Sequence, residues 1–110
     1  MTTADKLNKR LDDLWAKFLP QMHSRIGTIQ RAIDAWHDNT LSMYLRKEAA
    51  DAAHKLAGSL GTFGLTPASD DAAEVERLLR AEFYSDEFRA LLEQHFAQLK
   101  QAIDSRSGKP

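Results

Sequence analysis

No cysteine occurs among the 110 residues of this chain. That excludes disulfides, thiolate zinc sites and thiol catalysis, and it leaves the redox compartment undetermined. Neither sign of charge dominates: 15 Lys and Arg face 16 Asp and Glu, for a net charge of -1. No basic field therefore marks a nucleic-acid binder. No apolar run approaches membrane-spanning length. The opening MTTADKLNKR lacks the apolar segment of a secretory signal. A cytosolic (cytoplasmic) protein, or a cytosolic piece of a larger one, is expected. β-Branched residues are few, and no useful window alternates apolar with polar residues, so no sheet is expected. There is no internal repeat and no low-complexity tract.

What remains is a helical composition rich in Ala, Leu, Lys, Arg, Glu and Gln. The 43% hydrophobic content supports a real core in one domain. Five amphipathic segments can be traced. Residues 4–19 put Leu7, Leu11, Leu14, Trp15 and Phe18 on one stripe, and Pro20 is expected to interrupt the backbone hydrogen bonding after it. Residues 21–37 put Met22, Ile26, Ile29, Ile33 and Trp36 on a narrow seam. Asp38, Asn39 and Thr40 read as turn and cap residues. Residues 41–63 bury Leu41, Leu45, Ala49, Ala52, Leu56, Leu60 and Phe63. Gly64 is placed for a left-handed conformation past the helix end. Thr66 and Pro67 read as N-cap and first helical residue. Residues 67–81 follow, then 86–105 behind a Ser85 cap. These segments predict an all-α antiparallel four-helix bundle over residues 20–105, with residues 1–19 as an N-terminal accessory helix. Residues 106–110 read as a disordered tail or linker.

The stretch AHKLAGSLGTFG, residues 53–64, raises a specific question. Each glycine inside a helix costs about 1 kcal/mol relative to alanine. Here glycines accumulate directly after a histidine. His54 lies two residues from both Ala52 and Leu56, the apolar anchors of its helix. It therefore points about 160° away from them, and the imidazole is expected to face water. Its neighbours one turn away are Ala50, Asp51, Ala57 and Gly58, and Gly61 extends the same face. Such small residues leave a low strip on which another protein's backbone or loop could approach closely. Gly58 fits that role and fits close helix packing equally well. An exposed neutral imidazole is a good nucleophile near neutral pH and can attack phosphorus. No Ser–His–Asp set is evident, and GSLGTFG lacks the Gly-Lys-Ser/Thr ending of a Walker loop.

The stretch AHKLAGSLGTFGL resembles the signature of histidine-containing phosphotransfer (HPt) domains of two-component phosphorelays. It is similar also to the phosphotransfer domain of chemotaxis histidine kinases. The pattern places a histidine, an aliphatic residue two later, glycine four later, a small residue five later and glycine ten later. Here these are His54, Leu56, Gly58, Ser59 and Gly64. The resemblance implies a phosphoprotein that is not an enzyme with ATP hydrolysis or autokinase activity of its own. It implies phosphorylation of His54 at Nε2. The partners would be receiver domains of response regulators or hybrid kinases, whose aspartyl phosphate gives or takes the phosphoryl group. The chain would need no cofactor of its own, because the partner receiver supplies Mg²⁺. Many members carry lysine three residues after the histidine, whereas this chain has Ala57. Lys55 or Lys47 would then supply the stabilising charge. In the chemotaxis relatives a glutamate on the next helix bonds the other ring nitrogen, and ungapped alignment places that role on Glu76, with Glu74 and Asp51 as competitors. The receiver-docking face is read as Lys47, Ala50, Asp51, Ala57, Gly58 and Gly61, rimmed by apolar residues of the second segment.

His23, His37 and His95 offer no paired spacing for a metal, so none is expected. His95 reads as a boundary residue beside Phe96. The expected activity is phosphotransfer by a monomer that binds neither membrane nor nucleic acid. The rival is a non-catalytic module of the same fold that docks receivers without carrying phosphate. A metal-dependent hydrolase comes third.

Overall fold

Thirty-five residues, Thr3–His37, run as one helix, α1, straight through Pro20. This computed structural model describes residues 2–82 and 85–108. The expected interruption at Pro20 is absent, so the accessory helix and the first bundle helix are one element. Proline removes one intrahelical donor, which orphans the Ala16 carbonyl. Ala16 and Pro20 are both exposed, so water can satisfy that carbonyl. Trp15 and Met22, buried on either side of the proline, hold the helix on course. At about 1.5 Å per residue α1 spans roughly 52 Å, which sets the molecule's long dimension of 54 Å.

Three further helices complete the fold: α2 (Met43–Thr62), α3 (Thr66–Arg80) and α4 (Asp86–Arg106). Short connections make successive neighbours antiparallel, in a four-helix bundle. Helix α1 packs on α2, α2 on α3 and α3 on α4, whereas α1 and α4 meet only slightly. Among the described residues there is no strand. No helix is long and apolar enough to cross a membrane.

The core is apolar throughout. Met22, Ile29 and Ile33 of α1 meet Leu56 and Leu60 of α2, Val75, Leu78 and Leu79 of α3, and Leu92, Phe96, Leu99 and Ile103 of α4. Among the described residues no polar or charged side chain is buried. Fully burying one leucine contributes about 1.5–3 kcal/mol. Leu56 and Leu60 therefore offset the two interior glycines of α2, each costing about 1 kcal/mol.

Helix ends follow local chemistry. Thr2 and Asp5 form a reciprocal capping box at α1. The Leu45 amide donates to Ser42 Oγ (3.0 Å), and the Phe88 amide donates to Ser85 Oγ (3.1 Å). Helix α2 ends in a Schellman motif: the Leu65 amide donates to the Leu60 carbonyl and the Gly64 amide to Gly61. Gly64 takes φ +75° there, as its position predicts. Thr66 is instead the first residue of α3. Leu65 occupies the cap, without a side-chain bond, and Pro67 fills the first turn.

The seam between α1 and α4 is closed by side chains. Trp15 Nε1 donates to Ser107 Oγ (2.9 Å), Arg106 bonds Asp12 (2.8 Å), and His37 bonds Glu93. Residues 106 and 107, read from sequence as the start of a loose tail, are thus docked on α1. Arg106 ends α4 and covers the Trp15 ring. Residues 109–110 of that tail lie outside the described residues.

Candidate functional site

The register of α2 against α3 is fixed at two points. Arg46 donates to the carbonyls of Leu79 (2.7 Å) and Ala81 (2.8 Å), satisfying acceptors at the α3 C-terminus. Ser69 Oγ donates to the Ala57 carbonyl (2.8 Å) near the start of α3. Between these ties, His54 of α2 stands opposite Glu76 of α3.

The His54 side chain is 72% exposed, and its Nδ1 lies 3.1 Å from Glu76 Oε1. Glu76 is only 21% exposed. Its second oxygen, Oε2, accepts from Arg80 Nε at 2.9 Å. The other arm of Arg80 bonds Asp51 Oδ1 at 2.9 Å, so a chain of polar contacts runs His54–Glu76–Arg80–Asp51. Burial pushes the Glu76 carboxyl up, but the hydrogen bonds from Arg80 and His54 together outweigh it and hold the group below its ordinary value. Asp51 is likewise held low, chiefly by Arg80 and to a lesser degree by Lys47 and Lys55. A carboxylate on Nδ1 fixes the tautomer that leaves Nε2 as the free lone pair.

The remaining residues read from sequence divide into two groups. Gly58 and Gly61 are exposed on the His54 side of α2. A Cβ at Gly58 would meet nothing within 4 Å, and one at Gly61 would meet only Ser69 Oγ at 3.5 Å. Close helix packing therefore requires neither glycine. Ala50 is a correction: it is 1% exposed and belongs to the core, not to an open strip. Four residues before His54 the helix has turned about 40° toward α3, which places Ala50 beside Leu79. Ala57 turns the same way and is half-buried against the core.

Lys55 is exposed beside Arg25 and Thr28 of α1, on the side of α2 away from Glu76. Lys47 is exposed two turns before His54, in the depression that also holds Arg80. Glu74 pairs with Arg77 instead of a histidine. The rim expected to be apolar is polar where it adjoins Lys55. The large exposed hydrophobic residues of α1 are Leu7, Leu14 and Phe18. With Leu11, Leu14 and Phe18 border a groove of about 180 Å³ against Ser59, Thr62 and Phe63. Among the described residues no three metal-capable side chains gather.

Arg80 was not singled out by sequence reasoning. The signal available was Glu76 followed four residues later by Arg80 on one helix face, a favourable pair. Its second partner, Asp51, lies 29 residues away in sequence and is brought in by tertiary packing.

The sequence model of the Hpt domain family matches residues 13–108, nearly the whole bundle. The chain belongs to the Hpt domain family, whose members are phosphotransfer modules of two-component phosphorelays and work with receiver domains. Protein RcaC of Microchaete diplosiphon is 33% identical over 66 residues, covering 60% of this chain and 10% of that protein. The chain thus spans about a tenth of the length of this curated relative. No solved structure matches it. The family match begins inside the segment read as an accessory helix, consistent with α1 being one element.

Proposed function

We propose that this domain relays a phosphoryl group between receiver aspartates through a phosphohistidine at His54. One observation carries the reading: an exposed imidazole whose Nδ1 is engaged by a carboxylate, on a face that Gly58 leaves open. In the proposed step, the Nε2 lone pair attacks the phosphorus of a receiver's aspartyl phosphate in line. The N–P bond forms as the P–O bond breaks, and the aspartate leaves as a carboxylate. No proton need move. The ring becomes cationic while keeping its Nδ1–H, and the anionic Glu76 stabilises that charge. Transfer to a second receiver reverses the step. The Mg²⁺ that neutralises the phosphoryl oxygens belongs to the receiver. Lys47 and Lys55 are the nearby lysines of this chain, whereas many relatives carry a lysine where Ala57 stands.

The test is transfer of labelled phosphate from a panel of phosphorylated receiver domains. Wild-type protein should acquire acid-labile, alkali-stable label, and His54→Gln should acquire none while keeping its helical content. Label on the His54→Gln protein would contradict the assignment. Ala57 favours one second reading, a module that docks receivers without accepting phosphate. Stable receiver binding with no label on the wild type would select it.

A further inference from the structure

Glu76 carries three rotatable bonds, and its contact with His54 is made to a mostly exposed ring. A solitary hydrogen bond of that kind contributes little against the rotamer freedom the glutamate must give up. The carboxylate is nonetheless engaged through both oxygens, because Arg80 grips the one that His54 does not use. We propose that Arg80 is a positioning residue for the His54 imidazole, holding the Glu76 carboxylate against Nδ1 so that Nε2 is kept as the bare nitrogen.

The geometry gives this clamp two anchor points. Arg80 Nε meets Glu76 one turn back on α3, and its terminal nitrogen meets Asp51 on α2. Asp51 lies three residues before His54, so the guanidinium ties the orienting carboxylate to the helix that carries the imidazole. A planar fork can satisfy both carboxylates at once in a fixed orientation, whereas an ammonium is a single point charge on a flexible stem. Burial pushes the Glu76 carboxyl up, but the hydrogen bonds from Arg80 and His54 hold it below its ordinary value, so it remains the anion that a cationic ring requires. In this arrangement Arg80 bonds Glu76 and Asp51 and acts on the ring through Glu76.

The inference rests on the phosphotransfer reading for its purpose, but its test does not depend on it. The intact chain is prepared as wild type, Arg80→Gln, Arg80→Lys, Glu76→Gln and the Glu76→Gln/Arg80→Gln double variant. At alkaline pH, where imidazole is neutral, ¹⁵N shifts of His54 report the tautomer ratio. Diethyl pyrocarbonate, which carbethoxylates unprotonated ring nitrogen, reports nucleophilicity. Peptide mass spectrometry reads each site, with the exposed His23 of α1 as internal reference.

Arg80→Gln should move His54 away from the Nδ1–H tautomer and slow its carbethoxylation roughly fivefold relative to His23, as expected for coupled neighbours. Arg80→Lys should fall between it and wild type. In the Glu76→Gln background Arg80→Gln should change nothing further. Unchanged tautomer and rate in Arg80→Gln would overturn the clamp, as would an equal loss in the Glu76→Gln background. Should Arg80→Gln fail to fold, wild-type behaviour of Arg80→Lys overturns it instead. If these effects appear and no receiver labels His54, the clamp stands and the relay assignment falls.

Discussion

His54 and His95 both bond through Nδ1 to a carboxylate on α3, Glu76 at 3.1 Å and Asp71 at 2.8 Å. Their carboxylate partners are similarly shielded, at 21% and 16% exposure, yet the rings differ, at 72% and 23%. The neighbours one helical turn away explain this. His95 is flanked by Leu91, Leu92, Gln98 and Leu99, and His54 by Ala50, Asp51, Ala57 and Gly58. Large side chains on α4 draw the His95 ring into the α3–α4 seam, where its bond pins two helices. Small ones on α2 leave the other ring standing free. A histidine–carboxylate pair is therefore not by itself a mark of function. The exposure of the ring separates the two pairs, and the open ring of His54 is what the proposed transfer requires.

The sharpest way to break this comparison is to exchange the losses. His54→Gln is expected to remove all label from the phosphorylated domain while shifting stability by no more than about 0.5 kcal/mol, as for most exposed sites. His95→Gln should keep its label and lose about 1 kcal/mol in urea unfolding, the net worth of a part-buried hydrogen bond. Label that follows His95 would invert the assignment. One step weaker, Glu76→Gln should slow phosphoryl transfer roughly tenfold or more, since a neutral amide neither fixes the tautomer nor balances the ring's charge. Asp71→Asn should leave the transfer rate unchanged. Equal rates for the two variants would mean that orientation of the ring does not matter.

The parts of this arrangement that depend on local spacing were legible in the sequence. The outward direction of His54 follows from its offset to Ala52 and Leu56, and the Gly64 stop follows from helix-end chemistry. Glu76 was reached through the family resemblance. Pro20 misled because a proline's effect depends on whether its orphaned carbonyl is wet and its flanks are pinned. Ala50 misled because four residues turn a helix 40° too far, and only the position of α3 decides which side of the ridge is covered. Arg80 escaped because half of its role lies with Asp51, on another helix. The docking of Arg106 and Ser107 escaped because Trp15 and Asp12 lie over ninety residues upstream.

Acid unfolding sharpens the comparison less strongly but with a definite sign. The folded Glu76 carboxyl titrates below its ordinary value of 4.5. Its contribution is therefore fully present above that pH and is lost as pH falls through the lower folded value. Asp51 behaves alike below its ordinary 3.8. The stability gap between wild type and Glu76→Gln should narrow as pH falls below about 4.5. Urea midpoints across that range check it. A gap that stays level through the acid range would show that Glu76 gains nothing from Arg80 and His54 on folding.

The smallest effect concerns the ridge itself. Gly58→Ala adds a methyl group where nothing lies within 4 Å. It also removes a helix-interior glycine, so the folded state should gain about 1 kcal/mol and melt at higher temperature. No such stabilising change is available around His95, whose neighbours are already leucines and glutamine. A partner whose backbone must close on Nε2 would meet the new methyl one turn from the ring, so transfer from a receiver should slow by a few-fold while carbethoxylation by the small reagent stays the same. Thermal melts, receiver transfer rates and reagent rates on one preparation decide the point. A stabilised protein with undiminished transfer would mean that the bare strip beside His54 is not where the receiver closes in.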